Sequence, residues 1–187
     1  GSVISATDIT NGGTITLGGD NAAINATTLT NSGTITASGT GTNVIATTFD
    51  NTTSGRLEVS AGTTRIGTPG YGVRVPVGNA GTVDIAAGAT LLHYGAGTTG
   101  WLQSAGTLGV GGTFDNEGTF DYHGGSISGS PIGTLQLAID PAAPCRTWVF
   151  AAGGSLLGDL RGGSPGCDIV QVQAGTLSVP ATFANAG

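Results

Sequence analysis

The residues best placed to do chemistry lie between Phe114 and His123, where Asp115, Glu117, Asp121 and His123 fall within ten positions. On an extended strand, residues two apart share a face, so Asp121 and His123 would stand side by side. A carboxylate beside an imidazole can hold a metal ion or trade a proton. A metal site also needs a second histidine or converging carboxylates nearby, and the neighbouring sequence supplies none. A solvated outer face is therefore the stronger reading, and Asp121 and His123 stay weak metal candidates. No catalytic group and no cofactor are expected. His93-Tyr94 is weaker still and reads as a corner. Gly19-Asp20-Asn21 has calcium-loop residue types, but such loops work as tandem copies and this one occurs once.

The elements that would position these groups are set by a repeat. Ile9-Thr10-Asn11-Gly12-Gly13-Thr14-Ile15-Thr16-Leu17 recurs as Leu29-Thr30-Asn31-Ser32-Gly33-Thr34-Ile35-Thr36-Ala37. Phe49-Asp50-Asn51 with Gly55-Arg56-Leu57-Glu58-Val59 follows after a short insertion. Val77-Gly78-Asn79-Ala80-Gly81-Thr82-Val83-Asp84-Ile85 and Phe114-Asp115-Asn116-Glu117-Gly118-Thr119-Phe120-Asp121-Tyr122 continue it. After each glycine the chain alternates with period two, which is a strand with one buried face. Inward candidates are Ile15/Leu17, Ile35/Ala37, Leu57/Val59, Val83/Ile85, Leu108/Val110, Phe120/Tyr122 and Leu177/Val179. Upstream, Ile4, Ile24 and Val44 align, as do Ala6, Ala26 and Ala46. A unit of about twenty residues cannot bury its own apolar face and must stack on its neighbours. The fold expected is all-β, a single-stranded parallel β-helix, or β-solenoid.

The Asn-x-Gly corner carries a further expectation. Asn and Gly tolerate the left-handed backbone of a sharp corner. Stacked corners would place Asn11, Asn31, Asn51, Asn79 and Asn116 in a ladder of amides bonded along the stack.

Composition narrows the function classes. The chain of 187 residues has 36 glycines, 9% charged and 5% aromatic residues, and a net charge of −6. Its five basic residues are all arginine and make no patch, so neither nucleic acid nor membrane insertion is expected. Cys145 and Cys167 are the two cysteines. In a lysine-free, Gly/Thr/Asn-rich chain they fit a single disulfide of an exported protein, closing a loop of about twenty residues.

Along the chain, Gly1-Ser2 reads as a tag remnant. Regular coils occupy 3–130, with a loop excursion near 61–80 around Pro69-Gly70-Tyr71-Gly72 and Pro76. Gly106 and Gly118 are too close for two whole coils and suggest two corners of one coil. Residues 131–170 are irregular, punctuated by Pro131, Pro141, Pro144 and Pro165 and holding both cysteines. Coil signals resume over 171–187 and stop part-way into a new unit, as in a piece of a longer protein.

The apolar-x-Asn-x-Gly-Thr-apolar units resemble the haemagglutinin-type repeats of filamentous haemagglutinin, related bacterial exoproteins and autotransporter passengers. The resemblance covers 3–60 well, and 77–85, 104–122 and 174–187 in part. It implies a right-handed helix, an extracellular or cell-surface location, and a stalk or adhesive role. Partners would be neighbouring repeats, other copies of the chain, or surface glycans and proteins. A self-assembling fibre stacking end to end is the alternative. Pectate-lyase-like enzymes share the architecture, but the outward positions here are mostly Thr, Ser and Gly. Thr14/Thr16 and Thr34/Thr36 suit an ice-binding ladder, which Arg56/Glu58 and Thr82/Asp84 then interrupt.

Overall fold

The structure, a computed structural model, describes residues 1–67, 75–94, 100–116 and 125–128. Beyond these it describes the strands Phe120–Tyr122, Thr134–Leu137, Thr147–Phe150, Gly154–Ser155, Leu160–Gly162, Ile169–Val172 and Leu177–Ser178. Among the described residues there is no helix, and every strand pairing is parallel: the chain is a β-solenoid. Successive passes lay strands onto three faces. The first face stacks Val3–Ser5, the starts of Ala23–Asn31 and Thr42–Asn51, then Thr63–Ile66, Thr90–His93, Thr113–Asn116, Thr134–Leu137 and Leu160–Gly162. The second stacks Asp8–Asn11, the ends of the same two long strands, then Val77–Asn79, Trp101–Gln103, Phe120–Tyr122, Thr147–Phe150 and Ile169–Val172. The third stacks Thr14–Leu17, Thr34–Ala37, Arg56–Val59, Thr82–Ile85, Thr107–Val110 and Ser126–Ser128.

The period-two pattern sets the core. Ile35, Leu57, Val83 and Leu108 line up on the third face, each fully buried, beside a second row of Leu17, Ala37, Val59, Ile85 and Val110. Each buried Ile or Leu contributes about 1.5–3 kcal/mol, and stacking means that each coil's row is covered by the next.

Several positions differ from the sequence reading. Ile45, not Val44, lies beside Ile24, and Ala46 pairs with Asn25 rather than Ala26. Between the register partners Leu17/Ala37 and Ala23/Val44, the later coil takes one residue more than the earlier one. A bulge between Asn25 and Thr28 absorbs the slip, so Leu29 still meets Phe49. Within the excursion expected near 61–80, Thr63–Ile66 is an ordinary first-face strand and Val77–Asn79 an ordinary second-face one. Phe120–Tyr122 is not a third-face strand: it continues the second face from Trp101–Gln103. The close spacing of Gly106 and Gly118 has this cause, since Thr107–Val110, Thr113–Asn116 and Phe120–Tyr122 take the third, first and second faces in turn. Cys145, Cys167 and His123 lie outside the described residues, as do 179–187.

The corner glycines divide: Gly106 and Gly125 take the expected left-handed backbone, with positive φ, and the earlier ones do not. Gly33, Gly55 and Gly81 do not have positive φ, and neither do the corner asparagines; among the described residues, the single positive-φ non-glycine is Asn21. Close approach decides instead. A Cβ on Gly33 would lie 2.1 Å from the carbonyl oxygen of Gly13, and one on Gly81 would lie 2.2 Å from that of Gly55. The coils touch backbone to backbone at this corner, and Thr34 and Thr82 donate their N–H groups to the same two carbonyls at 2.7 and 2.9 Å.

Candidate functional site: a buried amide ladder and a histidine in the core

The ladder runs along the corner between the second and third faces. Each rung ends a second-face strand, so its side chain turns into the core just before the chain bends. Asn11 Nδ2 donates to Asn31 Oδ1 at 2.8 Å, Asn31 Nδ2 to Asn51 Oδ1 at 2.8 Å, and Asn51 Nδ2 to Asn79 Oδ1 at 2.9 Å. The other Nδ2 hydrogen of each rung goes to the backbone carbonyl opening the third-face strand one coil on: Thr34, Arg56 and Thr82, at 3.1–3.2 Å. Asn31, Asn51 and Asn79 are fully buried. A buried amide is tolerable when its donors and acceptor are all met, and these are.

Asn116 is not the fifth rung. It ends a first-face strand, at a different corner, and its register partners are His93 and Leu137. The fifth rung is Gln103, whose Oε1 accepts from Asn79 Nδ2 at 2.9 Å and from Trp101 Nε1 at 3.2 Å. Its Nε2 then turns back to Ala105 O at 2.6 Å and does not reach onward. The signal was present in the sequence: Trp101-Leu102-Gln103 precedes Gly106-Thr107-Leu108 as Leu29-Thr30-Asn31 precedes Gly33-Thr34-Ile35. The amide there is one methylene longer and the corner one residue longer, which hid it from an Asn-x-Gly pattern.

His93 does not sit exposed on a corner. It is the inward-facing end of Thr90–His93 and is wholly buried. Nδ1 lies 2.5 Å from Asn116 Oδ1, and Nε2 lies 2.8 Å from Val75 O. The ring meets Trp101 edge to face at 5.8 Å, and Trp101 meets Phe114 likewise at 4.7 Å. Burial pulls the imidazole pKa below its ordinary value, outweighing the bonds to Asn116 and Val75 that push it up. The neutral ring satisfies both contacts if Nε2–H donates to Val75 O and the Asn116 amide turns its NH₂ to Nδ1. The two ends of an amide are nearly isosteric. Fully buried and bonded at both ring nitrogens, this histidine shapes the core.

No family model, no characterised protein and no solved structure matches this chain.

On the outer surface, Arg56 pairs with Glu58 on its own strand and, through Nη2, with Asp84 of the next coil at 2.8 Å. Thr36 Oγ1 donates to Glu58 Oε2 at 3.3 Å. These groups are about half exposed, where such pairs contribute roughly 0–1 kcal/mol. They cross the third face where the Thr14/Thr16 and Thr34/Thr36 pairs stop. Asp121 has Leu102 and Val149 as register partners on the second face. Among the described residues, no group of three His, Cys, Asp or Glu could hold a metal ion.

Proposed function

We propose that this chain is a structural and adhesive segment of a secreted or surface-held bacterial protein, a stiff β-solenoid stalk whose outer strand faces meet partners. The observation that supports it is the unbroken amide ladder. It ties consecutive coils through buried hydrogen bonds, which suits a rod that must resist bending more than a fold built around a reaction. Antibodies against residues 3–67 test the location. They should label intact cells of the producing bacterium or its culture medium; signal confined to the cytosol would reject the reading. Incubation with acidic polysaccharides tests the enzyme alternative, and release of shortened chains would favour it. Electron microscopy across a concentration series tests the fibre alternative. Dispersed particles are expected, because the column holding the ladder passes from Gln103 to Tyr122, Phe150 and Val172. No amide stands at those later positions to meet Asn11 of a second copy. Long filaments of uniform width would overturn this.

A further inference from the structure

The sequence holds two Asn-x-Thr acceptor motifs for N-linked sugar, Asn25-Ala26-Thr27 and Asn51-Thr52-Thr53. As sequence they are equivalent; the fold separates them. Asn51 is a central rung of the ladder. Its amide is fully buried, Nδ2 spends both hydrogens on Asn79 Oδ1 and Thr82 O, and Oδ1 accepts from Asn31. No transferase could reach that nitrogen without opening the corner.

Asn25 is the opposite case. It sits where Ala23–Asn31 bends from the first face to the second, and both Asn25 and Thr27, the two residues a transferase must read, are exposed. Toward the first coil the backbone is bonded across the bend. Asn25 O accepts from Ala6 N at 3.1 Å and Thr27 N donates to Thr7 O at 2.8 Å. On the other side the register breaks between Asn25 and Thr28, leaving an extra residue in this strand relative to Thr42–Asn51. A bulge bends a strand and re-aims its side chains. The register partners of Asn25 are Ser5 and Ala46, both small.

We propose that Asn25 is an N-glycan acceptor in the folded protein and that Asn51 is not. The step joins Asn25 Nδ2 to the anomeric carbon of a sugar activated as a diphosphate. The anomeric C–O bond breaks, the diphosphate leaves with the electron pair, and the amide gives up one proton to the transferase's base. The co-reactant is a nucleotide-diphosphate hexose or its lipid-linked counterpart.

The test uses the full chain and an N-glucosyltransferase chosen because it modifies synthetic peptides spanning both motifs. With a nucleotide-activated glucose, intact-mass analysis should show one added hexose, mapped by peptide sequencing to Asn25. Asn25→Gln and Thr27→Val should each abolish the addition while leaving the thermal midpoint within a degree or two of the parent. An unmodified Asn25, or Asn51 modified as fast as Asn25 while circular dichroism reports the intact fold, would overturn the assignment. The readout is independent of where the protein resides.

Discussion

One column of positions, followed along the second face, changes its chemistry part-way. From Asn11 to Gln103 it is a run of buried amides, each bonded to the next. Beyond Gln103 the same register holds Tyr122, Phe150 and Val172. The neighbouring column changes in residue type with it: Ile9, Leu29, Phe49, Val77 and Trp101 are followed in register by Phe120 and Trp148. The backbone pairing is parallel throughout the described strands. The difference shows that the solenoid needs only complementary neighbours up and down a column. Amides meet that need through directional bonds, and the apolar residues Leu29, Phe49, Val77 and Trp101 of the neighbouring column through burial. The amide solution demands an unbroken series, because a missing rung strands both its neighbours. The apolar solution forgives substitution of similar volume.

The sharpest way to break the contrast is Asn31→Ala. It strips Asn51 Oδ1 of its donor, takes from Asn11 Nδ2 one of its two acceptors, and removes the side-chain donor to Arg56 O. A loss of about 3 kcal/mol in denaturant melts is expected, since each stranded buried group costs about 1–3 kcal/mol. A loss no greater than that of an exposed threonine would mean that the amides act only as turn formers.

The junction comes next. Gln103→Ala removes the acceptor for Asn79 and Trp101 but leaves the rungs before Asn79 paired. It should cost about 2 kcal/mol. Amide exchange should rise around 77–107 and stay unchanged over 11–37. Uniform loosening of the whole chain would contradict a ladder that terminates at Gln103.

The histidine beside the junction gives a pH signature. Its folded-state pKa is lowered by burial, so below an unfolded value of about 6.5 the unfolded chain takes up a proton that the folded chain refuses. Stability is complete above that pH. It should fall on acidification by up to about 1.4 kcal/mol per pH unit until the folded-state pKa is reached. Urea midpoints measured between pH 8 and pH 5 in the parent and in His93→Gln check this. Parallel curves would remove His93 as the cause.

The smallest effect belongs outside. Thr36→Ala, on the outer face, should change stability within about 0.5 kcal/mol, because its bond to Glu58 is only part-buried and competes with water.

The fold was legible in the sequence because twenty-residue spacing and period-two alternation are both consequences of stacking, and both are written in residue type. Asn11, Asn31, Asn51 and Asn79 were legible for the same reason. Asn116 misled because type was matched without face: an Asn ending a first-face strand looks, in one dimension, like one ending a second-face strand. Gln103 was missed because a longer side chain and a longer corner compensate each other only in space. The corner glycines were found, and positive φ holds at Gly106 and Gly125, but at Gly33, Gly55 and Gly81 the cause is crowding from the preceding coil, which has no local signature distinct from positive φ. The burial of His93 was hidden because its strand, Thr90-Leu91-Leu92-His93, carries Leu at both an inward and an outward position, so alternation does not say which face the ring takes.

The ladder also has a sense of direction. In every rung from Asn11 to Asn79 the nitrogen faces the later coil and the oxygen the earlier one. Reversing a single amide would set oxygen against oxygen on one side and hydrogen against hydrogen on the other, so the rungs can reverse only together. Their dipoles therefore add along the axis. The rod is electrically a one-way object, with an oxygen-rich pole at Asn11 and a pole at Gln103 where the last amide folds its hydrogens back onto Ala105.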